Sequence, residues 1–294
     1  MPSLSFDPVA HVYDATRGYP SGVAQQIAQS IADTVQATPH TKFLEVGIGT
    51  GRIAFPLAAR GHRYTGVDIS ERMVEQLEAK LADHGWQEQV QPWGSLPDEN
   101  TSAAPLVRRF MQGEQRASMR LVMADMTALP FYAASFDVAI AVHVFHLVDD
   151  WQKALSEVLR VLRPGGLFLH CWDEHKVSDK RNISQTWESI VRELGGDVRR
   201  QGASNAGIDV THWLQEHDLH PRELRIVKWE SAMTPRQSLE NITKRSWSRT
   251  WTVPDDLFAA SVQRLEQWAN EQFGSDLDAQ HIRTHQFVIS KTQV

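Results

Sequence analysis

Three glycines and one acid carry the sequence's clearest chemistry. Gly47, Gly49 and Gly51 alternate with Ile48 and Thr50 directly after the apolar run Phe43-Leu44-Glu45-Val46, and Asp68 follows Gly47 by 21 residues. Glycines so placed let a backbone turn tightly and approach a ligand closely, and the start of the helix that follows favours a negative group. An acid about 20 residues beyond such a loop, ending the next strand, suits ribose hydroxyls. The combination points to a nucleoside-bearing ligand. A dinucleotide-binding loop sets its third glycine one residue later; Arg52 holds that position here, which disfavours a nicotinamide cofactor. His143 and His146 follow another apolar run. Histidine titrates near neutrality, so these two are the candidate general bases, with His143 preferred.

The elements that must position these groups are read from apolar spacing. Val23, Ile27, Ile31 and Val35 recur every four residues after Pro20 and Ser21, as in an amphipathic helix. The glycine cluster leads into a helix through Phe55, Leu57 and Ala58, closed by Gly61, and then a strand over 63–67. Ser70 is suited to cap a helix with Met73, Val74, Leu77 and Leu81 on one face. Residues 85–119 break this rhythm with Pro92, Gly94, Pro97 and Pro105, and read as a surface insertion holding one helical turn over 106–111. Strands are expected over 120–123, 136–142 and 167–172. The last two flank a helix capped by Asp149 or Asp150, with Trp151, Leu155, Val158, Leu159 and Leu162 inward and Pro164-Gly165-Gly166 as its stop. Two more strands are expected over 222–229 and 285–290. Between them lies a helical insertion over 234–273, best marked where a helix opens at Asp255-Asp256 and ends at Gly274.

Strand and helix alternating at this spacing imply right-handed crossovers and a doubly wound α/β fold with a mostly parallel sheet. The expected organisation is an N-terminal lid and helix over 1–40 and a nucleoside-binding core over 41–172. Residues 173–294 complete the sheet and carry a helical cap at about 234–274.

Composition narrows the function. The 294 residues carry a net charge of −6, which argues against a nucleic-acid partner. The single cysteine, Cys171, allows no internal disulfide and reads as a buried strand thiol. No basic leader opens the chain and no stretch approaches the ~20 apolar residues of a membrane span. The expectation is a cytoplasmic protein without membrane insertion.

Leu44-Glu45-Val46-Gly47-Ile48-Gly49-Thr50-Gly51 resembles the first motif of class I S-adenosylmethionine-dependent methyltransferases. Gly66-Val67-Asp68-Ile69-Ser70 with Met73 resembles the second. Ala124-Asp125-Met126, Leu129-Pro130-Phe131 and Phe136-Asp137-Val138 are similar to the third and fourth. The run from Leu159 to Gly166 resembles the entry to the fifth strand. The nearest subgroup is methyltransferase type 11, the menaquinone-biosynthesis-like group, whose opening segment is similar to His11-Val12-Tyr13-Asp14 with Arg17 to Pro20.

The resemblance implies a Rossmann-like, seven-stranded sheet with an antiparallel last strand, and S-adenosylmethionine as cofactor. By position, Gly47, Gly49 and Gly51 are implied to wrap its methionine part, with Glu45 at the polar end and Asp68 on the ribose. Asp125 is implied to accept from the adenine amino group, with Met126, Ile69 and Met73 flanking the ring and Val142 near the sulfonium. Tyr13, Arg17 and Tyr19 could fold over the cofactor. Trp229, Trp247, Trp251 and Trp268 could roof an apolar acceptor, although tryptophans so spaced more often form a core. Lys244, Arg245 and Arg249 read as a solvated face. No metal is expected, because displacement on a sulfonium needs none, even though His170, Asp173 and His175 end a strand. The chain lacks the Asn/Asp-Pro-Pro-Tyr/Phe motif of base-amine methylases after the fourth strand, so a small-molecule methyl acceptor is expected. The alternatives are aminopropyl transfer or other non-methyl chemistry on this fold, and a non-catalytic nucleoside-binding module.

Overall fold

Short apolar runs bounded by glycine, proline or a helix cap become strands of one sheet. The computed structural model describes residues 5–89, 107–113, 117–177, 181–198, 202–203 and 205–294. Its strands are β1 (Lys42–Val46), β2 (Arg63–Asp68), β3 (Gln87–Glu88), β4 (Val107–Gln112), β5 (Ala117–Met123), β6 (Phe136–Val142), β7 (Leu162–Val177), β8 (Arg222–Met233) and β9 (His281–Gln293). They run in the order β3-β4-β5-β2-β1-β6-β7-β9-β8. The five strands β5, β2, β1, β6 and β7 pair in parallel. The end of β9 meets the start of β7, with Gly165 N–H donating to the Val294 carbonyl and Val294 N–H to that of Gly166, so the last strand is antiparallel.

The nine strands among the described residues correct the expected seven. The additional pair comes from the 85–119 insertion: β4 lies antiparallel on β5 and β3 antiparallel on β4. The helical turn expected over 106–111 is also corrected, since Val107–Gln112 is a strand and residue 106 lies outside the described residues. The reason is that β5 would otherwise end the sheet with unpaired backbone groups, which an extended neighbour satisfies. Phe110, 5% exposed, faces Met119 across that ladder.

The helices are α1 (Tyr13–Arg17), α2 (Val23–Thr34), α3 (Ala54–Ala58), α4 (Glu71–Asp83), α5 (Trp151–Val161), α6 (Ile183–Glu193), α7 (Ala206–Glu216), α8 (Pro235–Thr243) and α9 (Asp255–Phe273). Ser70 caps α4 by accepting the Met73 N–H, and Asp150 caps α5 by accepting that of Lys153. Ala154, Leu155, Val158 and Val161 of α5 are fully buried, together with Val46, Ala139 and Phe168 of the sheet. Each large side chain so buried stabilises the fold by roughly 1.5–3 kcal/mol. The chain then enters β7 directly, and the register jump from Phe136↔Leu162 to Val138↔Leu167 leaves residues 163–166 as an irregular excursion. The loop helix α3 has only five residues, too few for the dipole effect its position suggested.

The chain divides into two compact units. One comprises Met1–Trp172, Gln201–Val227 and Phe287–Val294; the other Asp173–Arg200 and Lys228–Gln286. The second has its own core, in which Trp187, Ile242, Leu265 and Phe273 are buried and Trp247 and Trp268 pack against them. Trp229 stacks on His285, their rings 5.1 Å apart, and the Trp251 indole donates to the Arg245 carbonyl. Lys244, Arg245 and Arg249 pair with Glu240, Asp255 and Glu188.

Candidate cofactor and active site

The carboxyl ends of β1 and β6 are neighbours, with β2 beyond one and β7 beyond the other. Sheets of this type bind ligands at such a reversal of strand order. The loop leaving β1 carries Gly47, Gly49 and Gly51 at φ of 69°, 53° and 70°, backbone that side chains resist. A Cβ on Gly47 would stand 2.5 Å from Val144 Cγ2, and one on Gly51 2.5 Å from Leu77 Cδ1. Those two glycines serve the protein's own packing. At Gly49 a Cβ would meet Met73 Cε at 3.0 Å and otherwise open space among the described residues.

Asp68 is tied to this loop. Its Oδ2 accepts the Gly49 N–H at 2.7 Å and its Oδ1 the Ser70 N–H at 2.8 Å. Burial pushes its pKa up, against the pull of the backbone N–H groups. The Asp68 carbonyl accepts the Ala124 N–H at 3.0 Å, which brings Asp125 and Met126 beside it. Asp125 Oδ1 accepts both the N–H and the hydroxyl of Thr127 at 2.9 Å. Met73 and Met126 are buried, whereas Ile69 is 39% exposed.

Beneath the loop, Glu45 is 2% exposed and accepts the Tyr64 hydroxyl at 2.6 Å. Burial raises its pKa to about 8, while Tyr64 and Arg52 pull it down. Beside β1, Val142 ends β6 in register with Cys171, which is fully buried. His143 follows at φ 51°, its N–H donating to the Cys171 carbonyl at 3.1 Å. His146 sits in the short 3-10 turn Phe145–Leu147, and its carbonyl accepts the Gly202 N–H.

The N-terminal segment is pinned to the same loop. Asp14 accepts the Thr50 hydroxyl at 2.5 Å and pairs with Lys80 at 2.8 Å. Arg52 donates to the Arg17 carbonyl and lies over the rings of Tyr13 and Tyr19, at 5.5 and 4.9 Å. Arg17 lies over Phe6 and Tyr13.

Residues 44–170 match the family model described as a methyltransferase domain. That segment is similar to the class I S-adenosylmethionine-dependent methyltransferases. The chain is 26% identical over 210 residues to the sterol 4-C-methyltransferase of Caenorhabditis elegans, covering 71% of this chain and 50% of that one. It is 30% identical over 171 residues to the demethylmenaquinone methyltransferase of Clavibacter sepedonicus, covering 58% and 56%. The chain thus spans about half the length of the curated relatives it matches. A candidate methyltransferase of Bacillus halodurans shares the fold with a TM-score of 0.53 at 14% identity, covering 90% of this chain and 97% of that structure.

The cofactor of this family is S-adenosylmethionine, and the methyltransferase residues fit it. The Asp68 carboxylate accepts backbone N–H groups of Gly49, Ser70 and Ile69, and two carboxylate oxygens offer about four lone-pair sites, which leaves capacity for a hydroxyl. The open side of Gly49 adjoins Met73 and Asp68, where a close-fitting ligand is admitted by the missing Cβ. Among the described residues, no group of three His, Cys, Asp or Glu could hold a metal ion, and no helix is long and apolar enough to cross a membrane.

Sequence reasoning assigned no role to four residues of this unit. Tyr64 was absorbed into an apolar strand. Asp7 accepts the Ser70 hydroxyl and the Arg72 N–H, and Asp14 is likewise tied to residues distant in the chain. The fourth is His170, 1% exposed, whose ring packs edge-on to Phe145 at 5.4 Å and tilts against Trp172 at 5.2 Å. Burial, with His143 and His146 nearby, lowers its pKa to about 3.

Proposed function

We propose that this chain transfers the methyl group of S-adenosylmethionine to a small-molecule acceptor by in-line displacement. The observation that carries the reading is the Asp68–Gly49 hydrogen bond, which pairs a ribose-binding acid with an open glycine within the matched segment. Gly47, Gly49 and Gly51 would wrap the methionine part and Glu45 its ammonium end. Asp68 would take the ribose, and Asp125, Met126, Ile69 and Met73 the adenine. Val142 would lie at the reacting end, and Tyr13 and Arg17 would close from the N-terminal segment. When bound, the cofactor supplies a methyl group activated by a sulfonium.

The protein's part is then alignment and exclusion of water. His143 follows Val142 directly and is the proposed base for an acceptor that must lose a proton; His146 is assigned to the surrounding shell. A small acceptor is supported by the relatives' names, which include a sterol 4-C-methyltransferase and a nocamycin O-methyltransferase. The net charge of −6 favours such an acceptor over nucleic acid.

A second reading keeps the fold without methyl transfer. The [4+2]-cyclase SpnF has a TM-score of 0.52 with this chain at 16% identity, covering 98% of it and 93% of that structure. Calorimetric titration with S-adenosylmethionine and S-adenosylhomocysteine, with Asp68→Ala as control, tests the cofactor. An acceptor screen read by mass spectrometry tests the chemistry. Micromolar binding lost in the variant and a product one methyl heavier are expected. Absence of binding to folded protein overturns the reading, and an isomerised, unmethylated product favours the second.

A further inference from the structure

Glu45 and Tyr64 form a buried, hydrogen-bonded pair next to the glycine loop. In the β1–β2 register Phe43 lies beside Tyr64, and their rings stack at 5.7 Å. Glu45 lies two residues further along β1, so it shares the Phe43 face. Its carboxyl accepts the Tyr64 hydroxyl there, and each residue is 2% exposed. A carboxylate enclosed in this way needs a cation or more donors than one hydroxyl.

The charged groups around the pair are few. Arg52 acts on Glu45 from the loop before α3, but its guanidinium also holds the Arg17 carbonyl and the rings of Tyr13 and Tyr19. Asp68 opposes it from the end of β2, and Cys171 reaches Tyr64 from β7. The β6 residue paired with Glu45 is Ile140, and α3 carries no ionisable side chain. Without a ligand the carboxyl therefore keeps its proton at neutrality, with a pKa of about 8.

We propose that Glu45 and Tyr64 couple cofactor binding to proton release, with Tyr64 as the positioning residue that holds the carboxylate once it forms. This rests on the cofactor reading above, which sets the ligand's ammonium group near Glu45. As that cation arrives, the Glu45 O–H bond breaks, the proton leaves to solvent and the electron pair stays on the carboxylate. The Tyr64 hydroxyl remains protonated throughout, because burial and Glu45 hold its pKa well above the usual range.

The test is calorimetric titration of the full chain with S-adenosylhomocysteine in buffers of different ionisation enthalpy. Wild type is expected to release close to one proton per ligand at pH 7 more than Glu45→Gln does. The ligand's own amino group contributes equally to both. Affinity of wild type should rise about tenfold from pH 6 to pH 7, a dependence that Glu45→Gln loses. Tyr64→Phe should weaken binding about tenfold or more and flatten the same profile, with its melting curve showing that it is folded. Equal proton release and pH dependence in wild type and Glu45→Gln would overturn the proposal while leaving the cofactor reading intact. No binding to folded wild type would overturn both.

Discussion

The Gly49 N–H and the Asp68 carboxylate are joined at 2.7 Å, so the middle glycine of the loop after β1 and the acid ending β2 are fixed to each other. Ser70 N–H holds the other oxygen at 2.8 Å. An amide has one oxygen where the carboxylate has two, so Asp68→Asn must turn an NH2 group toward one of these N–H groups. S-adenosylhomocysteine binding by this variant should weaken about 10- to 100-fold, from the loss of hydrogen bonds to a charged group. Titration calorimetry reads the change, and wild-type affinity would remove Asp68 from the ribose site.

At Gly47 two penalties coincide, a φ of 69° and the Val144 side chain. Gly47→Ala should lower stability by more than about 2 kcal/mol, the sum of conformational strain and overpacking. Adding Val144→Ala should recover the steric part and leave the conformational part. Urea unfolding of the two single variants and the double variant separates them; strict additivity would contradict the contact.

His143 is a non-glycine residue at φ 51°, an arrangement costing about 1 kcal/mol. Glycine relieves that strain but gives back a similar amount in unfolded-state entropy. His143→Gly should therefore fold with stability within about 1 kcal/mol of wild type while turnover drops roughly 100-fold, as for a lost general base. His143→Val should instead cost about 2 kcal/mol, because β-branched residues tolerate this backbone poorly. Wild-type turnover in the glycine variant would exclude His143 as base.

His170 makes stability depend on pH. Its folded pKa of about 3 lies below the ordinary histidine value of 6.5. Between these limits the unfolded chain binds a proton that the folded ring refuses, so this contribution to stability falls as pH drops from 6.5 toward 3. His170→Phe keeps an aromatic ring among Phe145, Phe168 and Trp172 and removes the titration. Going from pH 7.5 to pH 5, the variant should gain about 2 kcal/mol relative to wild type in urea unfolding. An unchanged difference would show that the ring is protonated in the folded protein.

The parallel core was legible because each of its runs is short, apolar and punctuated. Phe43 to Val46 stops at a glycine, and Ser70 announces α4. The register jump in β7 was hidden, since Pro164-Gly165-Gly166 reads as a stop between elements. The insertion strand β4 has the sequence Val-Arg-Arg-Phe-Met-Gln, in which Phe110 alone is buried, so neither helical nor strand periodicity stands out. Helix α6 had a readable signal in Asn182 followed by Ile183, Trp187, Ile190 and Val191, but the irregular sequence around it masked this. Within the site, the glycines and Asp68 lie close in sequence and could be read together. Asp7, Asp14 and Tyr64 act through partners 19 to 65 residues away, and side chains alone do not announce such pairings.

The sheet's two margins have a consequence for how copies of this chain meet one another. A bare strand edge invites addition of a strand from a second molecule, the first step toward aggregation. Among the described residues, the outermost strand on one side, β3, offers just two residues, Gln87–Glu88. On the other side β8 is long, but Arg222, Glu223, Arg225, Lys228 and Glu230 stud it with charge. The short strand at one margin and the charges at the other act as gatekeepers, keeping the nine strands among the described residues from becoming a template for fibrils.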